Sequence, residues 1–84
     1  MGIEAFRDEL ESQFARAEAL GAKYVDIVSG NLHRAVGGYP GTSHSMPSCC
    51  NAMYHAQRAG DEVLAAPPKG KGATLKIRFR LPRL

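Results

Sequence analysis

Ile3, Phe6, Leu10, Phe14 and Ala17 recur at steps of three and four. That spacing puts them on one stripe of a helix, and the remaining positions are charged residues and good helix formers. It predicts a helix over residues 3–20, with Glu4, Asp8 and Glu9 near its positive end and Gly21 as its stop. The stripe is core-facing rather than a binding surface. At the other end of the chain the period changes to two. Leu75, Ile77, Phe79 and Leu81 alternate with Thr74, Lys76, Arg78 and Arg80, which is the pattern of a half-buried strand with cations on its open face.

Between these ends the chain is punctuated. Tyr24–Val28 (YVDIV) is a short β-rich run with Val25 and Ile27 on one side and Tyr24 and Asp26 on the other. Ser29-Gly30 breaks it, with Ser29 as a candidate N-cap for a short helix over Asn31–Val36 that packs Leu32 and Val36 inward. Residues 37–45 (GGYPGTSHS) are a turn-rich loop centred on Tyr39-Pro40-Gly41. A third helix follows over residues 46–58, with Ser45 as candidate N-cap, Pro47 in its first turn, Cys49, Met53 and Ala56 as its apolar stripe, and Gly60 behind it. Residues 61–81 then read as a hairpin: a first arm over 62–66, a Pro67-Pro68 break, a tip with Lys69 and Lys71 among Gly70 and Gly72, and the alternating second arm. The glycines make that tip mobile as well as positive.

The expected fold class is therefore α+β. Helix, short strand, helix, turn, helix, strand, wing, strand is the order of a winged helix-turn-helix: three helices plus a small antiparallel sheet with a C-terminal β-hairpin wing. Its 84 residues form a single domain over 1–84 with a modest core.

Charge sharpens the functional expectation. The net charge of +3 is unevenly distributed. Residues 1–31 carry six acids against Arg7, Arg16 and Lys23, for −3, whereas residues 32–84 carry eight cations against Asp61 and Glu62, for +6. A polarised map of this kind favours a polyanionic partner on the basic side. In a winged helix-turn-helix the helix after the turn enters the major groove. Ser48, Asn51, His55 and Arg58 would face it, with Asn suited to adenine and Arg to guanine, and Ser45 and Ser48 near the helix N-terminus suited to phosphate. Lys69, Lys71, Lys76, Arg78 and Arg80 would hold phosphates, which carry affinity but not sequence information. The competing readings are ordinary surface polarity for the helix residues and a solubilising edge for the strand cations.

Other chemistry has little support. His33, His44, His55, Cys49 and Cys50 lack the ligand spacing of a zinc site, because vicinal cysteines on a helix diverge by about 100°. KGKG has neither the spacing nor the following helix of a phosphate-binding loop. The acids are too scattered for a two-metal cluster, and a Cys or Ser nucleophile has no third orienting group. No enzyme activity, metal or cofactor is expected. The two cysteines read as reduced and buried, as in a cytoplasmic protein. No transmembrane run or secretory signal is seen, so no membrane association is expected. A homodimer would match a palindromic site, with helix 1 as its candidate surface.

VDIVSGNLHRAVGGYPG, HSMPSCC and PPKGKGATLKIRFRLPR, within the stretch Tyr24–Arg83, resemble small bacterial winged-helix-like domains found alone or beside HNH-type restriction endonucleases. LHRAVGGYPG and GATLKIRFRLPR are the most distinctive pieces. The resemblance implies a DNA-associated role in a bacterial or phage setting, as a small regulator or targeting module. It brings no nuclease activity, since the chain has no His-Asn-His metal motif, and it transfers no site residues. The alternative is a protein-interaction module on the same scaffold, docking through the acidic face of helix 1 or the hairpin edge on a nucleic-acid-handling partner.

Overall fold

A computed structural model describes residues 3–37 and 46–83. Its elements, in chain order, are α1 (Ile3–Ala19), β1 (Tyr24–Val28), α2 (Ser29–Val36), α3 (Met46–Ala56), β2 (Glu62–Ala65) and β3 (Lys76–Arg80). The architecture is α+β: three helices and an open three-stranded antiparallel sheet. β3 lies in the middle of the sheet, with β1 on one side and β2 on the other. The Tyr39-Pro40-Gly41 turn and the Ser45 cap lie outside the described residues.

One face of the sheet meets the helices. Phe6, Leu10 and Phe14 of α1, Leu32 of α2 and Cys49, Cys50, Ala52 and Met53 of α3 pack with Ile27, Leu75, Ile77, Phe79 and Leu81 in a single core. The predicted alternation of the last strand is observed: Leu75, Ile77, Phe79 and Leu81 are buried, and Lys76, Arg78 and Arg80 point away from the helices. The register pairs Tyr24 with Arg80, Asp26 with Arg78 and Val28 with Lys76, so the outer face carries these six residues. Arg78 also faces Glu62 of β2. β2 is an edge strand and all four of its residues are exposed.

Three sequence expectations are corrected. Ser29 does not cap α2. It is the first residue of the helix, Val28 holds the extended cap position, and no side chain caps it. The orphan N–H groups of the helix start go instead to the turn leading into β3: Ser29 N–H to Leu75 O (2.8 Å) and Gly30 N–H to Ala73 O (3.0 Å). That contact suits glycine at position 30, because a Cβ there would lie 3.0 Å from the Ala73 oxygen and the turn would have to give by a few tenths of an ångström. Second, α3 ends at Ala56, which leaves Arg58 on the following turn.

Third, the tip between β2 and β3 does not stand free of the helices. The Ser29 hydroxyl donates to Gly72 O. The Cys50 thiol donates to the same oxygen and accepts the Gly72 N–H, both at 3.3 Å. The Tyr54 hydroxyl donates to Gly70 O. Each of these bonds satisfies a polar group that helix packing alone would leave buried. Lys69 and Lys71 remain exposed on a loop fastened to α2 and α3.

Candidate nucleic-acid interface

The sheet divides the residues that the sequence nominates. Ser48 and Asn51 lie half-buried on α3, His55 is exposed near the end of that helix, and Lys69 and Lys71 lie on the loop that Tyr54 ties to α3. Lys76 and Arg78 project from the outer face of the sheet, away from the helix layer. The predicted set therefore does not form one surface. A ligand lying on α3 and the loop would not also cover the outer sheet face.

Arg78 is moreover already engaged. Its Nε and Nη2 donate to the two Asp26 carboxylate oxygens at 2.8 and 3.1 Å, and its guanidinium stacks 4.2 Å from the centre of the Tyr24 ring. The hydrogen bonds from Arg78 hold the Asp26 carboxyl below its ordinary range, against the opposing effect of burial, and the charges of Arg78 and Lys76 add to the same direction. A phosphate at Arg78 would have to displace this pair.

Arg58 and Arg80 are brought together by a residue that sequence reading passed over. Asp61, its side chain only 1% exposed, accepts the backbone N–H of Arg58 at 2.8 Å on Oδ2 and that of Arg80 at 2.7 Å on Oδ1. Arg83 completes the arrangement. Its Nη1 donates to Asp61 Oδ1 and Oδ2 at 2.9 and 2.8 Å and to Arg80 O at 3.2 Å, while Nη2 donates to Ala56 O. The Arg83 guanidinium also lies 4.9 Å from the Phe14 ring centre and 5.3 Å from that of Phe79, and its backbone N–H reaches Glu18 at 3.0 Å. Burial pushes the Asp61 carboxyl up, but the Arg80 N–H, the Arg83 guanidinium and the Arg58 N–H outweigh it and keep it below the usual carboxylate range. In the sequence Arg83 is one of the eight cations of residues 32–84 and is not among the nominated contacts. It is a buried clasp between α1, α3 and the sheet.

Neither cysteine is placed for thiolate chemistry. Both are free and fully buried, and Cys49 donates to Ser29 O at 3.4 Å. Burial, with a smaller contribution from Cys50, pushes the Cys49 thiol up to about 12, so it stays protonated at neutral pH. Among the described residues no three His, Cys, Asp or Glu side chains gather as a metal site would require, and no helix is long and apolar enough to cross a membrane.

Comparison of the chain with protein-family models, with curated proteins and with solved structures finds no match in any of the three.

Proposed function

We propose that the chain is a DNA-binding protein on a winged helix-turn-helix scaffold, acting in the cytoplasm of a bacterium as a small regulator or as the targeting module of a restriction- or phage-related system. The observation that carries this reading is the docking of the loop on the helix. The Tyr54–Gly70 hydrogen bond fastens the Lys69 and Lys71 loop against α3, so cations and the helix that bears Ser48, Asn51 and His55 present themselves as one unit. The element order and the β1-β3-β2 sheet are compatible with that scaffold. In this reading His55 and Asn51 face base edges and Lys69 and Lys71 hold phosphates.

Fluorescence anisotropy with a labelled duplex tests it. Binding at about 50 mM salt should weaken steeply as salt rises, through release of condensed counterions. The Lys69→Glu/Lys71→Glu double variant should lose most of it. Absence of binding at low salt, or binding indifferent to salt, overturns the reading.

A second reading has its own observation. β2 is an open edge, and Val63 and Leu64 on it are 38% and 37% exposed. Such an edge can accept a strand from a protein partner. A partner complex that survives the Lys69→Glu/Lys71→Glu change and is lost on Val63→Lys would favour it.

A further inference from the structure

Two side chains of α3 hold the two peptide groups that flank Lys71. The Tyr54 hydroxyl donates to Gly70 O, which belongs to the Gly70–Lys71 peptide. The Cys50 sulfur accepts the Gly72 N–H at 3.3 Å, and that N–H belongs to the Lys71–Gly72 peptide. One peptide further on, the Cys50 thiol and the Ser29 hydroxyl both donate to Gly72 O. Positions 50 and 54 are four apart in α3, so they lie one above the other on a single face of the helix. Each peptide group is planar, and fixing the two planes on either side of a residue fixes its φ and ψ. The direction in which the Lys71 side chain leaves the loop is set with them.

Lys69 is held differently. Its following peptide closes a turn within the loop, Gly70 N–H to Pro67 O at 2.8 Å. Among the described residues, α3 makes no hydrogen bond to either peptide that flanks Lys69. The two glycines suit the clamp. Gly70 takes φ +82°, where L side chains are rarely found, and a Cβ on Gly72 would come 3.1 Å from the Pro67 ring. Lys71 itself is exposed.

We infer that Lys71 is a pre-ordered phosphate contact that sets the register of this protein on its duplex, with Tyr54 and Cys50 as the positioning residues that hold it; the inference rests on the DNA-binding reading above. A cation on an unattached loop gives up backbone freedom when it meets a phosphate, and that loss weakens binding. At Lys71 the ordering is completed on folding. Asn51 and His55 directly follow Cys50 and Tyr54 along α3, so the clamp ties the cation rigidly to the residues that face base edges. A phosphate contact carries no sequence information, but it fixes where such neighbouring groups fall along the duplex.

Loop order and duplex affinity, measured on the full chain, test this separately. Without DNA, the ¹⁵N heteronuclear NOE of the Lys71 and Gly72 amides should match that of the helices. It should fall in Tyr54→Phe and in Cys50→Ala, and return in Cys50→Ser, whose hydroxyl also donates and accepts. With duplex DNA at about 50 mM salt, Lys71→Gln should weaken wild-type binding about tenfold, but binding by Tyr54→Phe only about threefold. Lys69→Gln should cost the same in both backgrounds. A tenfold cost of Lys71→Gln in both would show that Tyr54 only supports the fold, which ends the inference and leaves the DNA-binding reading intact. A Lys71 NOE that ignores both Tyr54→Phe and Cys50→Ala has the same consequence. A wild-type protein that binds no duplex at that salt removes the DNA-binding reading, and the role of Lys71 with it, whatever the loop does.

Discussion

The Asp61 carboxylate accepts four hydrogen bonds, two from backbone N–H groups and two from the Arg83 guanidinium. Removing Arg83 leaves a buried charge with only its backbone partners. Breaking one side of a buried pair costs about 3–5 kcal/mol, a large part of the stability of a domain this small. Arg83→Met, which keeps the apolar stem against Phe14 and Phe79, should therefore lower the melting temperature by roughly 12 °C or more. A loss of only a few degrees would mean that the clasp is a surface contact. The same carboxylate sets an acid limit. Its folded-state pKa is depressed, so the unfolded chain binds the extra proton first as pH falls. The stabilisation it supplies is complete above the ordinary aspartate value of about 3.9 and is lost as pH drops below that, through the folded value. Asp26, depressed by Arg78, acts in the same direction. Denaturant unfolding from pH 6 down to about pH 2 should show wild type losing stability faster than Asp61→Asn, with the gap between them closing in that acid range.

At the scale of the element, the parts legible in the sequence are those with a strict period. The α1 stripe of Phe6, Leu10 and Phe14 and the alternation from Leu75 to Leu81 both depend on local geometry alone, and both are buried as expected. What the sequence concealed depends on register and on long-range meetings. Asp26 neutralises Arg78 because β1 and β3 pair with those two residues opposite each other, and no local pattern specifies that register. Arg83 meets Asp61 across 22 positions, over a hairpin whose bulge and loop geometry the sequence does not state. Ser29 precedes a helical pattern as a cap would, yet the turn leading into β3 supplies the carbonyls its helix needs. That junction is itself testable. Gly30→Ala forces a Cβ to within 3.0 Å of the Ala73 oxygen that accepts the Gly30 N–H, so it should cost about 1–3 kcal/mol. It should also raise amide exchange at Ala73 and Leu75 well above that at Ile77. Equal protection throughout would show that the α2 start and the β3 approach are not coupled.

At the scale of the whole molecule, the charge polarity read from the sequence is real but smaller in effect than a count implies. Of the eight cations in residues 32–84, Arg83 is consumed by Asp61 and Arg78 by Asp26. Lys76 faces outward from the sheet, on the side away from α3. A duplex that lies on α3, its loop and the turn after the helix therefore meets Lys69, Lys71 and Arg58, with Arg7 beside them on α1. Four phosphate contacts give a slope of log affinity against log salt of about −4, whereas all eight cations would give about −7. Affinity for duplex DNA should accordingly fall by roughly two orders of magnitude between about 50 and 200 mM salt. Lys76→Gln should leave both the affinity and the slope as they are, whereas Lys71→Gln should lower the slope by about one. A slope near −7, or one that responds to Lys76, would move the bound strand to the outer face of the sheet and would require the Asp26–Arg78 pair to open on binding.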